Sequence, residues 1–277
     1  MMSSAATLAN KPISILKDST ISDVIRKLLD NNISRILVRD SGSQVGIITE
    51  KDVGFFLFNE TTKQSLDQMP LTKIMKDISY ADENEPVKNC ARMMTHKNIS
   101  SLLLGSVENS FGIITKTDLA KYYAQNCAGR HKVVDYMTHN YVSTHSAAPL
   151  SKVVKKMFEN NVSRLVVMNQ MEHPIGIVSL RDLFRISLDL GSEEDATMIT
   201  LSDKVRRGFL SSEGFGGLTV ARDVMTKGII SIKFDKDLAD AGSMLLQNKI
   251  NGLAVLDGND KIVGMISKTD ITRALAD

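Results

Sequence analysis

One seven-residue phrase occurs four times in this chain of 277 residues, and it limits the fold more than any single residue does. It reads glycine, two apolar residues, a hydroxyl, two variable residues and a carboxylate. The copies are Gly46-Ile47-Ile48-Thr49-Glu50-Lys51-Asp52, Gly112-Ile113-Ile114-Thr115-Lys116-Thr117-Asp118, Gly176-Ile177-Val178-Ser179-Leu180-Arg181-Asp182 and Gly264-Met265-Ile266-Ser267-Lys268-Thr269-Asp270. A phrase returning at a spacing of this kind marks one supersecondary unit used repeatedly, too one-sided to bury its apolar face alone.

The repeat extends well upstream of the phrase. Ile21, Val24, Ile25, Leu28 and Leu29 stand at offsets 0, 3, 4, 7 and 8, one face of an α-helix. Val87, Cys90, Ala91, Met94 and Thr95 repeat the stripe, as do Leu150, Val153, Val154, Met157 and Phe158, and Leu238, Ala241, Gly242, Leu245 and Leu246. Twelve positions after each stripe begins comes a β-branched residue, Ile33, Ile99, Val162 or Ile250, which opens an apolar run such as Arg35-Ile36-Leu37-Val38. Turn signals such as Ser41-Gly42 separate that run from the phrase, so the two predict a β-hairpin. A short strand ahead of each helix and a helix after each carboxylate complete a β-α-β-β-α unit of roughly 60 residues.

The glycine-to-glycine steps are 66, 64 and 88, so an insertion is expected near 188–218. It ends in Gly214-Phe215-Gly216-Gly217, which reads as a spacer rather than a phosphate cradle because no GKS or GKT follows.

Composition removes several function classes. Split at Gly129, the first part holds 15 basic and 14 acidic side chains of the chain's 34 and 32, so neither part is a basic arm. Cys90 and Cys127 form no CxxC pair, which argues against a zinc ribbon or a disulfide framework. No apolar run approaches ~20 residues and the start lacks a signal-peptide pattern. A cytoplasmic protein is the expectation. His96, His131, His139, His145 and His173 fall at unrelated positions of the repeat, and no nucleophile–base pair or metal-ligand set emerges. The chain is therefore expected not to be an enzyme.

The four phrases, with the leads Ile74-Met75, Tyr136-Met137-Thr138 and Val224-Met225-Thr226, resemble CBS domains, named after cystathionine β-synthase. The resemblance covers nearly the whole chain. It implies an α/β (α+β) fold of four β-α-β-β-α repeats paired into two Bateman modules. The expected division is 1–129 (repeats about 8–62 and 71–127) and 130–277 (repeats about 133–188 and 219–277), with the inserted linker in the second pair. It also implies adenosine-nucleotide binding in clefts between paired repeats, and modules that assemble into discs, either within one chain or across a homodimer, the homodimer being the expectation.

The residues themselves allow two readings. A hydroxyl followed three residues later by an acid at a strand-to-helix junction is nearly a capping box, and taken alone Thr49 with Asp52 reads as a cap. The same geometry suits a nucleotide: a helix N-terminus attracts phosphate, and a carboxylate accepts both hydroxyls of a ribose. The resemblance tips the reading toward the ligand. It assigns Asp52, Asp118, Asp182 and Asp270 to ribose, and Thr49, Thr115, Ser179 and Ser267 to sugar and phosphate.

Two positions after the β-branched residue, odd repeats carry Arg35 and Arg164 where even repeats carry Ser101 and Gly252. Just before the motif aspartate, odd repeats carry Lys51 and Arg181 and even repeats Thr117 and Thr269. In the family that the chain resembles, the first of these positions often faces ligand phosphates, so the resemblance makes Arg35 and Arg164 the expected phosphate-binding arginines. The alternation predicts unequal sites, with affinity differing between odd and even motifs.

The expected function is a regulatory, energy-sensing protein that binds AMP, ADP or ATP, with S-adenosylmethionine a further candidate ligand, and signals to an unidentified protein partner. The alternatives are an interaction scaffold whose motifs serve only as caps and, least favoured, a nucleic-acid binder resting on stretches such as Lys204-Val205-Arg206-Arg207. No membrane partner is expected.

Overall fold

The computed structural model describes residues 4–60, 64–106, 110–191 and 219–277. The insertion beyond residue 191, with its glycine cluster and the Lys204–Arg207 stretch, lies outside the described residues.

Each predicted unit forms. Repeat 1 contains β1 (Ser14–Leu16), α1 (Ile21–Asp30), β2 (Arg35–Asp40), β3 (Ser43–Thr49) and α2 (Glu50–Asn59). Repeat 2 contains β4 (Tyr80–Ala81), α3 (Val87–His96), β5 (Ser101–Gly105), β6 (Ser110–Thr115) and α4 (Lys116–Asn126). A short α5 (Val133–Tyr136) leads to repeat 3, with β7 (Ser143–His145), α6 (Leu150–Glu159), β8 (Arg164–Met168), β9 (Pro174–Ser179) and α7 (Leu180–Gly191). Then α8 (Ala221–Val224) and β10 (Thr226–Lys227) lead to repeat 4, with β11 (Ser231–Lys233), α9 (Leu238–Gln247), β12 (Gly252–Leu256), β13 (Ile262–Ser267) and α10 (Lys268–Ala276). In every repeat the first strand runs parallel to the second, across the stripe helix, and the second and third form an antiparallel hairpin.

The β-branched residue of each repeat has a structural cause. The stripe helices end on a residue in the left-handed region: Asn32 (φ 49°), Asn98 (φ 50°), Asn161 (φ 54°) and Lys249 (φ 53°). The next residue turns its N–H back onto the helix. Ile33 donates to Leu28 O, Ile99 to Met94 O, Val162 to Met157 O and Ile250 to Leu245 O, all at 2.9–3.0 Å. This is a Schellman-type stop, in which asparagine is tolerated and lysine costs more.

The stripes are buried, but more narrowly than expected. Ile21, Val24, Ile25 and Leu28 are buried, whereas Leu29, Phe158 and Leu246 are half-buried and Thr95 is exposed.

The chain condenses into two compact units of alternate repeats. One unit comprises Ile13–Asp77 and Val142–Gly228, that is, repeats 1 and 3; the other comprises Met1–Pro12, Ile78–Tyr141 and Ile229–Asp277, repeats 2 and 4. The reason is helix packing between alternate repeats. In the first unit, Val24 and Leu28 of α1 share a core with Val153 and Met157 of α6 and with Leu183 and Phe184 of α7. In the second, Cys90 and Met94 of α3 share one with Leu238 and Leu245 of α9 and Ile271 of α10. Glycine permits the close approaches: a Cβ on Gly54 in α2 would stand 2.9 Å from Leu180, and one on Gly242 in α9 3.3 Å from the Ala120 carbonyl.

The lead segments are also exchanged. Each lies against the hairpin of a neighbouring repeat: Lys76 bridges Ile47, Asn10 bridges Ile113, Thr138 bridges Met265, and β10 pairs with β9 through Thr226 and Ile177. This accounts for the invariant glycine of the phrase. A Cβ on Gly46 would meet Met75 Cγ at 2.3 Å; on Gly176, the Thr226 carbonyl at 2.5 Å and Met225 Sδ at 2.9 Å. On Gly264 it would meet the Thr138 carbonyl at 2.7 Å, and on Gly112 the Ala9 Cβ at 2.8 Å. The methionines seen in three leads therefore cover the glycines, with Ala9 in the fourth place.

Candidate functional site

All four phrases build the same local geometry. The hydroxyl residue ends a strand in extended conformation, and the aspartate is the third residue of the following helix. Asp52 Oδ2 accepts from Thr49 N (2.9 Å) and Thr49 Oγ1 (2.5 Å). Asp118 Oδ2 accepts from Thr115 N (2.8 Å) and Oγ1 (2.6 Å), and Asp182 Oδ2 from Ser179 N (2.8 Å) and Oγ (2.7 Å). Asp270 Oδ2 accepts from Ser267 N (2.7 Å) and Oγ (2.6 Å). The capping reading thus holds in every repeat. It engages only one oxygen of each carboxylate, so it does not compete with a ligand for the other.

Asp52 and Asp270 are buried, while Asp118 and Asp182 are half-buried. The second oxygen meets a different neighbour in three repeats. Lys76 Nζ lies 2.5 Å from Asp52 Oδ1, Asn10 Nδ2 donates to Asp118 Oδ1 at 2.7 Å, and Arg273 Nη2 donates to Asp270 Oδ1 at 2.6 Å. The phrase alone gave no sign of these three. Lys76 and Asn10 had a signal in sequence: each follows the residue that covers a motif glycine. Thr226 and Thr138 occupy that place at the other two motifs, with shorter side chains.

Strand register places the two expected arginines beside the motif hydroxyls. Arg35 pairs with Thr49 across β2 and β3, and Arg164 with Ser179 across β8 and β9. In the even repeats Ser101 faces Thr115 and Gly252 faces Ser267. Cross-strand partners lie about 5 Å apart at Cβ, so each arginine borders the start of its motif helix. Arg35 Nη2 donates to Ser34 Oγ at 2.8 Å and Arg164 Nη2 to Ser163 Oγ at 3.4 Å.

The odd–even alternation acquires a packing cause. Lys51 of repeat 1 donates to Asn161 Oδ1 of repeat 3 at 2.9 Å and to its carbonyl at 3.2 Å. Reciprocally, Arg181 of repeat 3 donates from Nε to Glu50 Oε1 at 2.7 Å and from Nη1 to Asn32 Oδ1. In the other unit Lys116 donates to Thr269 and Lys268 to Thr117, both at 3.2 Å. The variable residues of the phrase therefore interlock alternate repeats, and their alternation follows the two compact units. Burial and the adjacent Arg164 hold the Lys51 ammonium below its usual pKa, with Asp52 pulling the other way.

Four β-α-β-β-α repeats, each starting its last helix on a hydroxyl–carboxylate pair, define a repeat class, and the comparisons identify it. The CBS domain model matches residues 5–57, 71–125, 133–189 and 221–277, and the chain belongs to the CBS domain family. Uncharacterized protein MJ1225 of Methanocaldococcus jannaschii is 22% identical over 283 residues, 96% of this chain and 96% of that protein. Its crystal structure, described as that of a proposed archaeal homologue of γ-AMPK, superimposes with a TM-score of 0.81 at 20% identity over 99% of this chain and 100% of that one. A Pyrococcus horikoshii structure reaches 0.64 at 17% identity, covering 99% of this chain and 100% of that one. Uncharacterized protein MJ1404 of M. jannaschii is 22% identical over 280 residues, and the chain spans 98% of itself but 63% of that protein's length. Among the described residues no helix is long and apolar enough to cross a membrane.

Proposed function

We propose that this chain is a non-catalytic regulatory protein that binds AMP, ADP or ATP at its motif helices and transmits occupancy to a partner as a change in repeat orientation. One observation carries the reading: all four carboxylates keep Oδ1 outside the cap, at a helix N-terminus. That arrangement suits a ribose hydroxyl beside a phosphate. The pairing of Arg35 with Thr49 and of Arg164 with Ser179 across the strands supports a phosphate role for the two arginines. Membership of the CBS family and the γ-AMPK description of MJ1225 favour an adenosine ligand; S-adenosylmethionine falls within the same chemistry. Assembly as a homodimer in the cytoplasm belongs to the same proposal, and light scattering checks the stoichiometry.

The scaffold reading keeps one specific support, since the closed caps satisfy Oδ2 in all four repeats without a ligand. Thermal unfolding separates the two. A nucleotide at 100 times its dissociation constant adds about 2.7 kcal/mol to the folded state. Absence of any shift with AMP, ADP, ATP or S-adenosylmethionine would leave the scaffold standing.

A further inference from the structure

The four motif carboxylates differ in how much acceptor capacity they retain. An ionised carboxylate offers about four lone-pair positions, two on each oxygen. Every motif Oδ2 already accepts two hydrogen bonds, from the backbone N–H and the hydroxyl of its own Thr or Ser. A vicinal diol brings two donors, so it needs both positions of Oδ1. At Asp52 one of these is taken by Lys76, at Asp118 by Asn10 and at Asp270 by Arg273. Asp182 Oδ1 accepts from none of the described residues. Arg185, three residues on as Arg273 is from Asp270, is exposed and forms no ion pair with Asp182 among the described residues.

The three occupants differ in firmness. Arg273 is held twice through one nitrogen, since the same Nη2 also donates to the Tyr136 carbonyl at 2.8 Å, and its partner carboxylate is 8% exposed. Asn10 is tied to a lead segment anchored by backbone bonds between Asn10 and Ile113. Lys76 is looser, with its side chain 69% exposed and its ion pair open to screening.

We infer that Asp182 is the primary diol-gripping carboxylate, and that Arg273, Asn10 and Lys76 are internal occupants that set the affinities of the other three motifs for a ribonucleoside ligand. The ranking rests on the nucleotide reading given above. It replaces a simple odd–even division: Asp52 is an odd motif and is occupied, Asp182 is an odd motif and is open. A ligand displaces a side chain at three motifs and none at the fourth.

Calorimetric titration of the full chain with AMP tests this. Asp→Asn keeps an oxygen for the cap and removes the charged acceptor. Asp182→Asn is expected to weaken the tightest binding event by about tenfold or more, with less than about twofold change for Asp52→Asn, Asp118→Asn or Asp270→Asn. Arg273→Gln is expected to strengthen a weaker event by about threefold to fivefold, and adding Asp270→Asn should abolish that gain. Lys76→Ala, which removes a side chain that is 69% exposed and keeps the backbone bridge to Ile47, should act in the same direction at Asp52. Equal losses from all four Asp→Asn variants, or weaker binding in Arg273→Gln, would overturn the ranking while the nucleotide reading stood. Absence of binding by AMP, ADP and ATP to the wild type and to Arg273→Gln would remove both.

Discussion

Alanine at Gly176 and at Gly46 should fail for different reasons, and the difference can be measured. At Gly176 the new Cβ would stand 2.5 Å from the Thr226 carbonyl, a backbone atom fixed by the β9–β10 pairing. Relief requires moving that strand, so the cost should fall in the overpacking range of about 1–3 kcal/mol. At Gly46 the nearest atoms are Met75 Cγ at 2.3 Å and Sδ at 2.4 Å, while the nearest backbone atom, the Lys76 carbonyl, is 3.2 Å away. A methionine side chain has three rotatable bonds and can turn aside. Truncating the methionine should therefore rescue one glycine variant and not the other. The assay is urea unfolding of single and double variants, following the transition of the unit that contains repeats 1 and 3. Gly46→Ala with Met75→Ala should be less destabilised than the sum of the singles by about 1 kcal/mol, whereas Gly176→Ala with Met225→Ala should be close to additive. At roughly 2–4 °C per kcal/mol, either effect is also visible as a melting shift. Equal coupling in the two pairs would refute the claim that backbone, not side chain, blocks Gly176.

Lys249→Gly should stabilise the chain by about 0.5–1 kcal/mol, because it relieves a lysine held at φ 53°; denaturant midpoints check it, and Asn161→Gly serves as the smaller-effect control. Arg181→Met should destabilise the unit of repeats 1 and 3 by about 1–3 kcal/mol, since it leaves the largely buried Glu50 unpaired (14% exposed), and Arg181→Met with Glu50→Gln should recover part of that loss. Burial pushes the Cys90 thiol from 9.0 up to about 11. A raised pKa means its stabilising contribution is complete below pH 9 and is lost as pH rises toward 11, so unfolding free energies between pH 8 and 11 should fall more steeply for the wild type than for Cys90→Ala.

The secondary structure was legible because its signals are local and were repeated four times. The stripe period, the turn residues before each phrase and the hydroxyl–carboxylate pair each act within a dozen residues. The pairing of repeats was not legible in the same way, because any stripe fits any other in pattern. The signals that break the tie are small. Leu180 replaces the charged Glu50, Lys116 and Lys268 of the other phrases, and it is buried against Gly54 of repeat 1. That single apolar residue at a helix start was the readable trace of the repeat 1–3 contact. The alternation of Lys51 and Arg181 with Thr117 and Thr269 is visible in the sequence, but its geometry belongs to the interlock between repeats. At the site, the phrase identified the carboxylates. Of the occupants, Arg273 lies three residues from Asp270, whereas Lys76 and Asn10 come from lead segments, and Asn10 lies 108 residues from Asp118.

The most direct test of the central claim compares AMP with 2′-deoxy-AMP in calorimetric titrations of the wild-type chain. If the motif carboxylates grip a ribose diol, removing one hydroxyl from a charge-assisted pair should weaken binding by about tenfold or more, and Asp182→Asn should bring the two ligands close together. Equal affinity of the wild type for both would contradict the account.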